Sequence, residues 1–286
     1  MKLSTFKNRD GLERFGAVAG DTVIDLTGVR GHGTLVDLIA SDDYAQRESL
    51  VAEGTPVPLA EIQFLPVIPR PEKIICAVRN YMDHHKEALA SGLKRELSDF
   101  PPIFFRVWRS QVGHEQPIVR PHASETLDWE GELAVVIGKA GRNIPEADAW
   151  EHVAGYSCYN EASVREFQFH AQQIAAGKNF ESTGAFGPWL VTPDEIAPGQ
   201  KLAVETRLNG EVVQSGDTGL MIFSVPQLIA YASTIVTLVP GDVIVTGTPA
   251  GVGFSRKPPR YMKPGDLVEV EIESIGVLRN PIVQQD

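Results

Sequence analysis

Asp128-Trp129-Glu130-Gly131-Glu132 sets three carboxylates at alternate positions and runs directly into Leu133-Ala134-Val135-Val136-Ile137. Alternate residues of a strand share a face. Asp128, Glu130 and Glu132 therefore point the same way at the start of a segment apolar enough to be buried. Like charges repel there, and a buried carboxylate is costly unless paired, protonated or bound to a cation. A hard divalent cation, Mg²⁺ or Mn²⁺, takes oxygen ligands of this kind. The competing reading is the solvent-facing edge of an antiparallel sheet.

A second cluster lies in Asn80-Tyr81-Met82-Asp83-His84-His85-Lys86-Glu87. If this stretch is helical, His84 and Glu87 sit three apart on one face. A Glu that accepts one imidazole N–H orients the ring and makes its other nitrogen a better base for water. An ordinary surface helix satisfies the same spacing. Tyr159 to Gln168 crowds charged and amide groups at a strand-to-helix junction, as a site or as helix capping with salt bridges. Lys178, in Gly177-Lys178-Asn179, reads by itself as a solvated helix end.

Thr246-Gly247-Thr248-Pro249-Ala250-Gly251-Val252-Gly253 is either a tight turn or a loop whose glycines let backbone N–H groups approach an anion. No Gly-Lys-Ser/Thr follows, so it is not a P-loop. Arg256-Lys257-Pro258-Pro259-Arg260 with Lys263 is the most basic stretch. It is a draw for an anionic substrate or a solvated loop.

The elements that must hold these groups are mostly strands. Residues 1–70 read as a small N-terminal unit. MKLSTF and RFGAVAGDTVIDLT form antiparallel strands, and TLVDLIA forms a helix with Leu35, Leu38 and Ile39 on one side. Pro66, Pro69 and Pro71 mark a boundary near 64–72. Beyond it, KIICAVRN, PPIFFRVW and ELAVVIGKA are strands, and HHKEALASG is a helix stopped by Gly92. Residues 163–179 read as helix, then loop. Asn209-Gly210 turns a hairpin, VPQLIAYASTIV is an amphipathic helix, and two Pro-Gly-Asp turns launch the last strands. Strands outnumber helices and do not alternate with them, which gives an α+β chain.

The 286 residues carry 37 Asp plus Glu against 26 Lys plus Arg, a formal charge of −11. This balance argues against nucleic acid and against anionic membrane surfaces as partners. With 43 % hydrophobic and 22 % charged residues, disorder over most of the chain is excluded. Cys76 and Cys158 sit in apolar flanks without a Cys-x-x-Cys, which excludes a disulfide scaffold or a thiolate zinc site. The N-terminus lacks the apolar core of a signal peptide, and no apolar run approaches the ~20 residues that span a bilayer. The expected compartment is the cytoplasm.

Taken together, NYMDHHKE, DWEGELAVVIGKA, GYSCYNEASVREFQ, GKNFESTGAFGPWLV, LNGEVVQSGDT, TLVPGDVIVTGTPAGVG and KPGDLVEVEIESIGVLRNPIV resemble the fumarylacetoacetate hydrolase family, over about residues 73–283. The resemblance implies a mixed β-sandwich roll preceded by a small N-terminal α+β domain (1–70, then a catalytic domain 71–286) and a homodimer. It implies Mg²⁺, Mn²⁺ or Ca²⁺ held by Glu130, Glu132 and Glu161, where Glu161 stands at a position the family usually gives to Asp. It also carries catalytic roles onto His84, Glu87 and Lys178, and substrate contacts onto Gln168 and Thr248. Arg106 stands where Lys is usual and is expected to hold a substrate carboxylate bidentately. Glu181 and Glu166 likewise replace the usual Asp.

The implied substrate is a small anionic 2-oxo acid. The first expectation is a hydrolase that cleaves the C–C bond of a 2,4-dioxo acid to pyruvate and a carboxylic acid, with His84 activating water and Lys178, Gln168 and Thr248 stabilising the oxyanion. The alternatives are a decarboxylase of an oxaloacetate-like acid, a hydratase or tautomerase, or a binding protein without turnover. A helix followed by the polar segment 91–99 fits a lid closing over substrate.

Overall fold

The computed structural model describes residues 1–92 and 96–286; part of the expected lid segment, 93–95, lies outside them. Gly131–Ile137 is buried along its whole length, as a nearly continuous apolar run requires. Its side chains alternate between two cores. Leu133, Val135 and Ile137 enter one, while Ala134 and Val136 enter the other. One strand thus joins the two halves of the molecule.

This strand sits within the largest sheet. Going outward on one side come Val153–Asn160, Gly184–Val191, Lys2–Lys7, Glu13–Ala19, Thr22–Asp25 and Thr55–Pro58; on the other come Val243–Val245, Ile74–Ala77 and Ile103–Arg106. A five-stranded sheet, from Glu211–Asp217 through Ala203–Leu208, Leu267–Ile272 and Gly276–Gln284 to Ile118–Arg120, supplies Val204, Val268, Val270 and Leu278 to the first core. Parallel pairing of Val243–Val245 with Ile74–Ala77 makes the first sheet mixed. The architecture is a sheet-dominated α+β sandwich with few helices.

The first sheet runs without a break through the expected domain boundary. Lys2 and Leu3 pair with Val191 and Leu190, and Leu3 and Val136 share the second core. Asn209 and Gly210 both adopt positive φ, 54° and 81°, at the hairpin, the geometry that Asn-Gly favours.

Helix Met82–Ala90 carries His84 and Glu87, and Gly92 ends it with φ 91°. Asn80 fixes its entry. The Asn80 amide donates to the carbonyls of Phe223 and Thr246, both at 2.8 Å, and accepts from the Phe223 N–H at 2.7 Å.

The expected helix over 163–179 is shorter than its pattern suggests. One turn, Arg165–Gln168, is followed by a 3₁₀ turn, Ile174–Lys178. Gly177 explains the difference: a Cβ there would lie 2.5 Å from the Gln168 nitrogen and 2.6 Å from the Val164 carbonyl oxygen. The chain therefore doubles back on itself and returns Lys178 to the strand ends.

Candidate active site

The antiparallel register pairs Gly131 with Asn160, so Glu130 and Glu132 flank the point at which Glu161 leaves the neighbouring strand. Backbone bonds lock this junction. The Glu161 N–H donates to the Glu130 carbonyl at 2.8 Å, and the Glu130 N–H donates to the Asn160 side-chain carbonyl at 3.0 Å. Carboxylate oxygens of Glu130, Glu132 and Glu161 lie within 4.8 Å of one another, all buried.

Asp128 does not join them, which corrects the expectation of three carboxylates on one face. It belongs to a separate short pairing, Leu127–Asp128 with Ser163–Val164, so the alternation is broken before Glu130. Asp128 turns instead to Arg165 and to the loop at Gly253 and Phe254.

Three buried cations face the triad. Lys178 Nζ contacts Glu130 at 3.0 Å and also pairs closely with Glu161. Arg165 Nη1 lies 2.6 Å from Glu130, and Arg106 Nη1 lies 2.5 Å from Glu161. Burial opposes ionisation of Glu130, yet Lys178 and Arg165 outweigh it and hold its carboxyl at about 2. Glu132 differs. Among the described residues it has no ion-pair partner and accepts only the Gly247 N–H, at 2.5 Å. Burial, then the charges of Glu161 and Glu130, push it well above the usual carboxylate range. Lys178 and the Gly247 N–H oppose this rise without cancelling it. The donor set is all hard oxygen with neither sulfur nor imidazole, which fits Mg²⁺, Mn²⁺ or Ca²⁺. Glu130, Glu132 and Glu161 would hold it.

His84 and Glu87 meet as their spacing suggests, Nδ1 to Oε2 at 3.0 Å. Glu87 Oε1 accepts from the Gly251 N–H at 3.0 Å and the Ser255 hydroxyl at 2.5 Å. Burial resists the Glu87 charge, but these bonds and His84 outweigh it and keep Glu87 below its ordinary range. An ionised Glu87 holds the proton on Nδ1 and leaves the other nitrogen of His84 as acceptor.

His84, Glu87, the three metal-site glutamates and Lys178 all line one cavity of ≈ 500 Å³. Gln168 and Thr248 line it too. Gln168 gives its carbonyl to Arg165 at 2.9 Å, so its NH₂ is the donor left for a ligand. The Thr248 hydroxyl donates to the Gly131 carbonyl at 2.9 Å and accepts from Gln214 at 2.8 Å, which commits its proton to the fold.

Arg106 is outside the cavity lining. Besides Glu161, its guanidinium serves Ser110, Ala162 and Thr183. This corrects its expected role as a substrate clamp: Arg106 is the buried counter-charge of Glu161. Arg165 and Ser255 went unassigned in the sequence. Arg165 at least lay in the crowded junction after Asn160, whereas nothing in the pattern marks Ser255. The basic stretch is structural: Arg256 donates to the Val213 carbonyl and Arg260 pairs with Glu211. Glu181 lies at the surface with Arg109.

Residues 73–283 match the fumarylacetoacetate (FAA) hydrolase C-terminal family. The chain is 44 % identical over 239 residues to the mitochondrial oxaloacetate tautomerase FAHD2A of Homo sapiens, covering 83 % of this chain and 74 % of that one. A fumarylacetoacetate hydrolase from Exiguobacterium antarcticum superposes with TM-score 0.84 at 36 % identity, over all of both chains. Maleylpyruvate hydrolase from Sphingobium sp. SYK-6, in complex with manganese(II) and pyruvate, superposes with TM-score 0.81 at 27 % identity, also over all of both chains. The seven segments, the strand register that gathers the carboxylates and these likenesses agree: the chain belongs to the fumarylacetoacetate hydrolase family.

Proposed function

We propose that the protein is a divalent-metal-dependent tautomerase of an oxaloacetate-like 2-oxo acid, interconverting its keto and enol forms. The observation that carries this reading is the His84–Glu87 pair, which opens onto the same cavity as three buried carboxylates. Tautomerisation needs one base and a place to hold negative charge, and both are present. The 44 % identity to a tautomerase over most of the chain favours this reaction over the C–C hydrolysis first expected from the motifs.

When bound, the cation supplies Lewis-acid stabilisation of charge on the substrate oxygens. The remaining chemistry is in the chain. Glu87 keeps the Nδ1 proton in place, and the other imidazole nitrogen of His84 takes a proton from C3 of the 2-oxo acid. The imidazolium then gives that proton to the enolate oxygen, so the enol forms with no water consumed and no C–C bond broken. Lys178 and the Gln168 NH₂ present donors to the oxygens. Phe104, Phe169, Ile174, Val252 and Phe254 keep much of the wall apolar, which strengthens each polar contact within.

Hydrolysis is the second reading, supported by the likeness to maleylpyruvate hydrolase; the same base would then act on water. One assay separates them. Mn²⁺-loaded protein is given oxaloacetate and, in parallel, an acylpyruvate, and enol absorbance, CO₂ and pyruvate are followed. Accelerated enol decay without pyruvate or CO₂ is expected. Pyruvate and a carboxylic acid from the acylpyruvate, with enol decay at the background rate, would replace tautomerase by hydrolase.

A further inference from the structure

Two ends of the site are fastened to one loop. Asp128 is wholly buried and makes four hydrogen bonds. Its Oδ1 accepts from the N–H groups of Trp129 and Gly253, both at 2.8 Å, and its Oδ2 accepts from the Phe254 N–H and Arg165 Nε, both at 2.8 Å. Arg165 then reaches Glu130 with Nη1. On its other side the same loop binds the base. The Gly251 N–H and the Ser255 hydroxyl both donate to Glu87 Oε1, which leaves Oε2 for His84. The loop is closely fitted. Gly251 has φ 107°, and a Cβ on Gly253 would overlap the Arg260 carbonyl and lie 2.7 Å from Asp128. The Trp129 indole adds a bond to the Gly251 carbonyl at 3.2 Å.

We infer that residues 251–255 are a strap that sets the position of the His84–Glu87 base relative to the carboxylate triad, with Ser255 the positioning residue for Glu87. Ser255 acts on the reaction only through Glu87. Without the hydroxyl, the Gly251 N–H is the one donor left on Oε1, and a carboxylate held there by a single bond rotates more readily and displaces the ring. A hydroxyl on the second oxygen stops that rotation and adds a bond to a charged acceptor, the stronger kind. The inference rests on the reading of His84 as the base.

Turnover of oxaloacetate enol by Ser255→Ala tests it, with folding checked by circular dichroism and Mn²⁺ affinity by calorimetry. A kcat about tenfold lower is expected, with KM and Mn²⁺ affinity held, because Ser255, although it lines the cavity, commits its hydroxyl proton to Glu87. Ser255→Thr keeps the donor and restores the rate. If Ser255 acts through Glu87, Glu87→Gln/Ser255→Ala is no slower than Glu87→Gln alone. A Ser255→Ala enzyme at the parental rate, or a double variant slower by the product of the two single effects, would overturn the strap. Should Ser255→Ala fail to fold, Ser255→Cys, which replaces the hydroxyl with a weak donor, carries the same expectation. His84→Asn separates the two claims: if it is inactive while Ser255→Ala is unaffected, only the strap is wrong, and if His84→Asn is fully active, the base itself is misassigned.

Discussion

Glu132 is the carboxylate of the triad that no cation among the described residues pairs with directly, so it should be the most sensitive ligand. Glu132→Gln keeps the size of the side chain and removes its charge. Mn²⁺ affinity should fall by at least about tenfold, measured by calorimetry; unchanged binding would move the metal elsewhere. Arg106 makes the opposite kind of prediction. Its loss leaves Glu161 buried beside only Lys178, so Arg106→Ala should cost about 3–5 kcal/mol of stability, read from denaturant midpoints, with KM little changed in protein that remains folded. A large rise in KM at constant stability would restore the substrate-clamp reading. At this scale, what the sequence revealed followed local periodicity. Glu130 and Glu132 two apart, and His84 and Glu87 three apart, are neighbours through their own element. The pairs Arg106–Glu161 and Ser255–Glu87 are set by tertiary packing between segments distant in the chain, and no local spacing encodes them. Glu161 came from family likeness, and the strand register gives its physical reason.

Among elements, the strands were the easier part, because Gly131–Ile137 and its neighbours are apolar throughout and turn residues punctuate them. The stretch after Ser163 was harder: its polar and aromatic spacing suits a helix, and only the close packing of Gly177 on Val164 and Gln168 shows why the helix stops after one turn. The connection from Gln111–Val112 to Ile118–Arg120, which packs against Gly276–Gln284, yields a pH prediction. His114 lies there with its ring edge against Phe64, and its Nδ1 accepts the Arg279 N–H at 3.1 Å. Burial, reinforced by Arg279, lowers its pKa to about 4 despite Glu115. The folded state thus binds this proton less readily than the unfolded chain, whose value is about 6.5. Stability from neutral His114 is complete above about pH 6.5 and is lost as pH falls towards 4, by about 2–3 kcal/mol. Chemical denaturation at several pH values should show that His114→Gln, which keeps an acceptor but cannot charge, flattens this decline. An identical decline in both proteins would contradict it.

The molecule as a whole is one continuous sheet joined to a second across a shared core, so the N-terminal strands and the site strands belong to one hydrogen-bonded structure. A cluster of prolines marks the expected boundary near 64–72; the pairing of Lys2–Lys7 with Gly184–Val191, which spans most of the chain, leaves no local trace. Among the described residues, no helix is long and apolar enough to cross a membrane. The buried triad makes metal and stability interdependent. Saturating Mn²⁺ binds the folded triad and should raise the melting temperature, by about 2.7 kcal/mol of stability at a hundred times Kd, and EDTA should reverse it; Glu132→Gln should respond far less. The central claim concerns His84, and its direct test is the rate of oxaloacetate enol-to-keto conversion by Mn²⁺-loaded parent and His84→Asn, with Mn²⁺ affinity measured on both. The account predicts a rate lower by about 10²–10⁴-fold with metal affinity retained. Conversion at the parental rate by metal-loaded His84→Asn would contradict it.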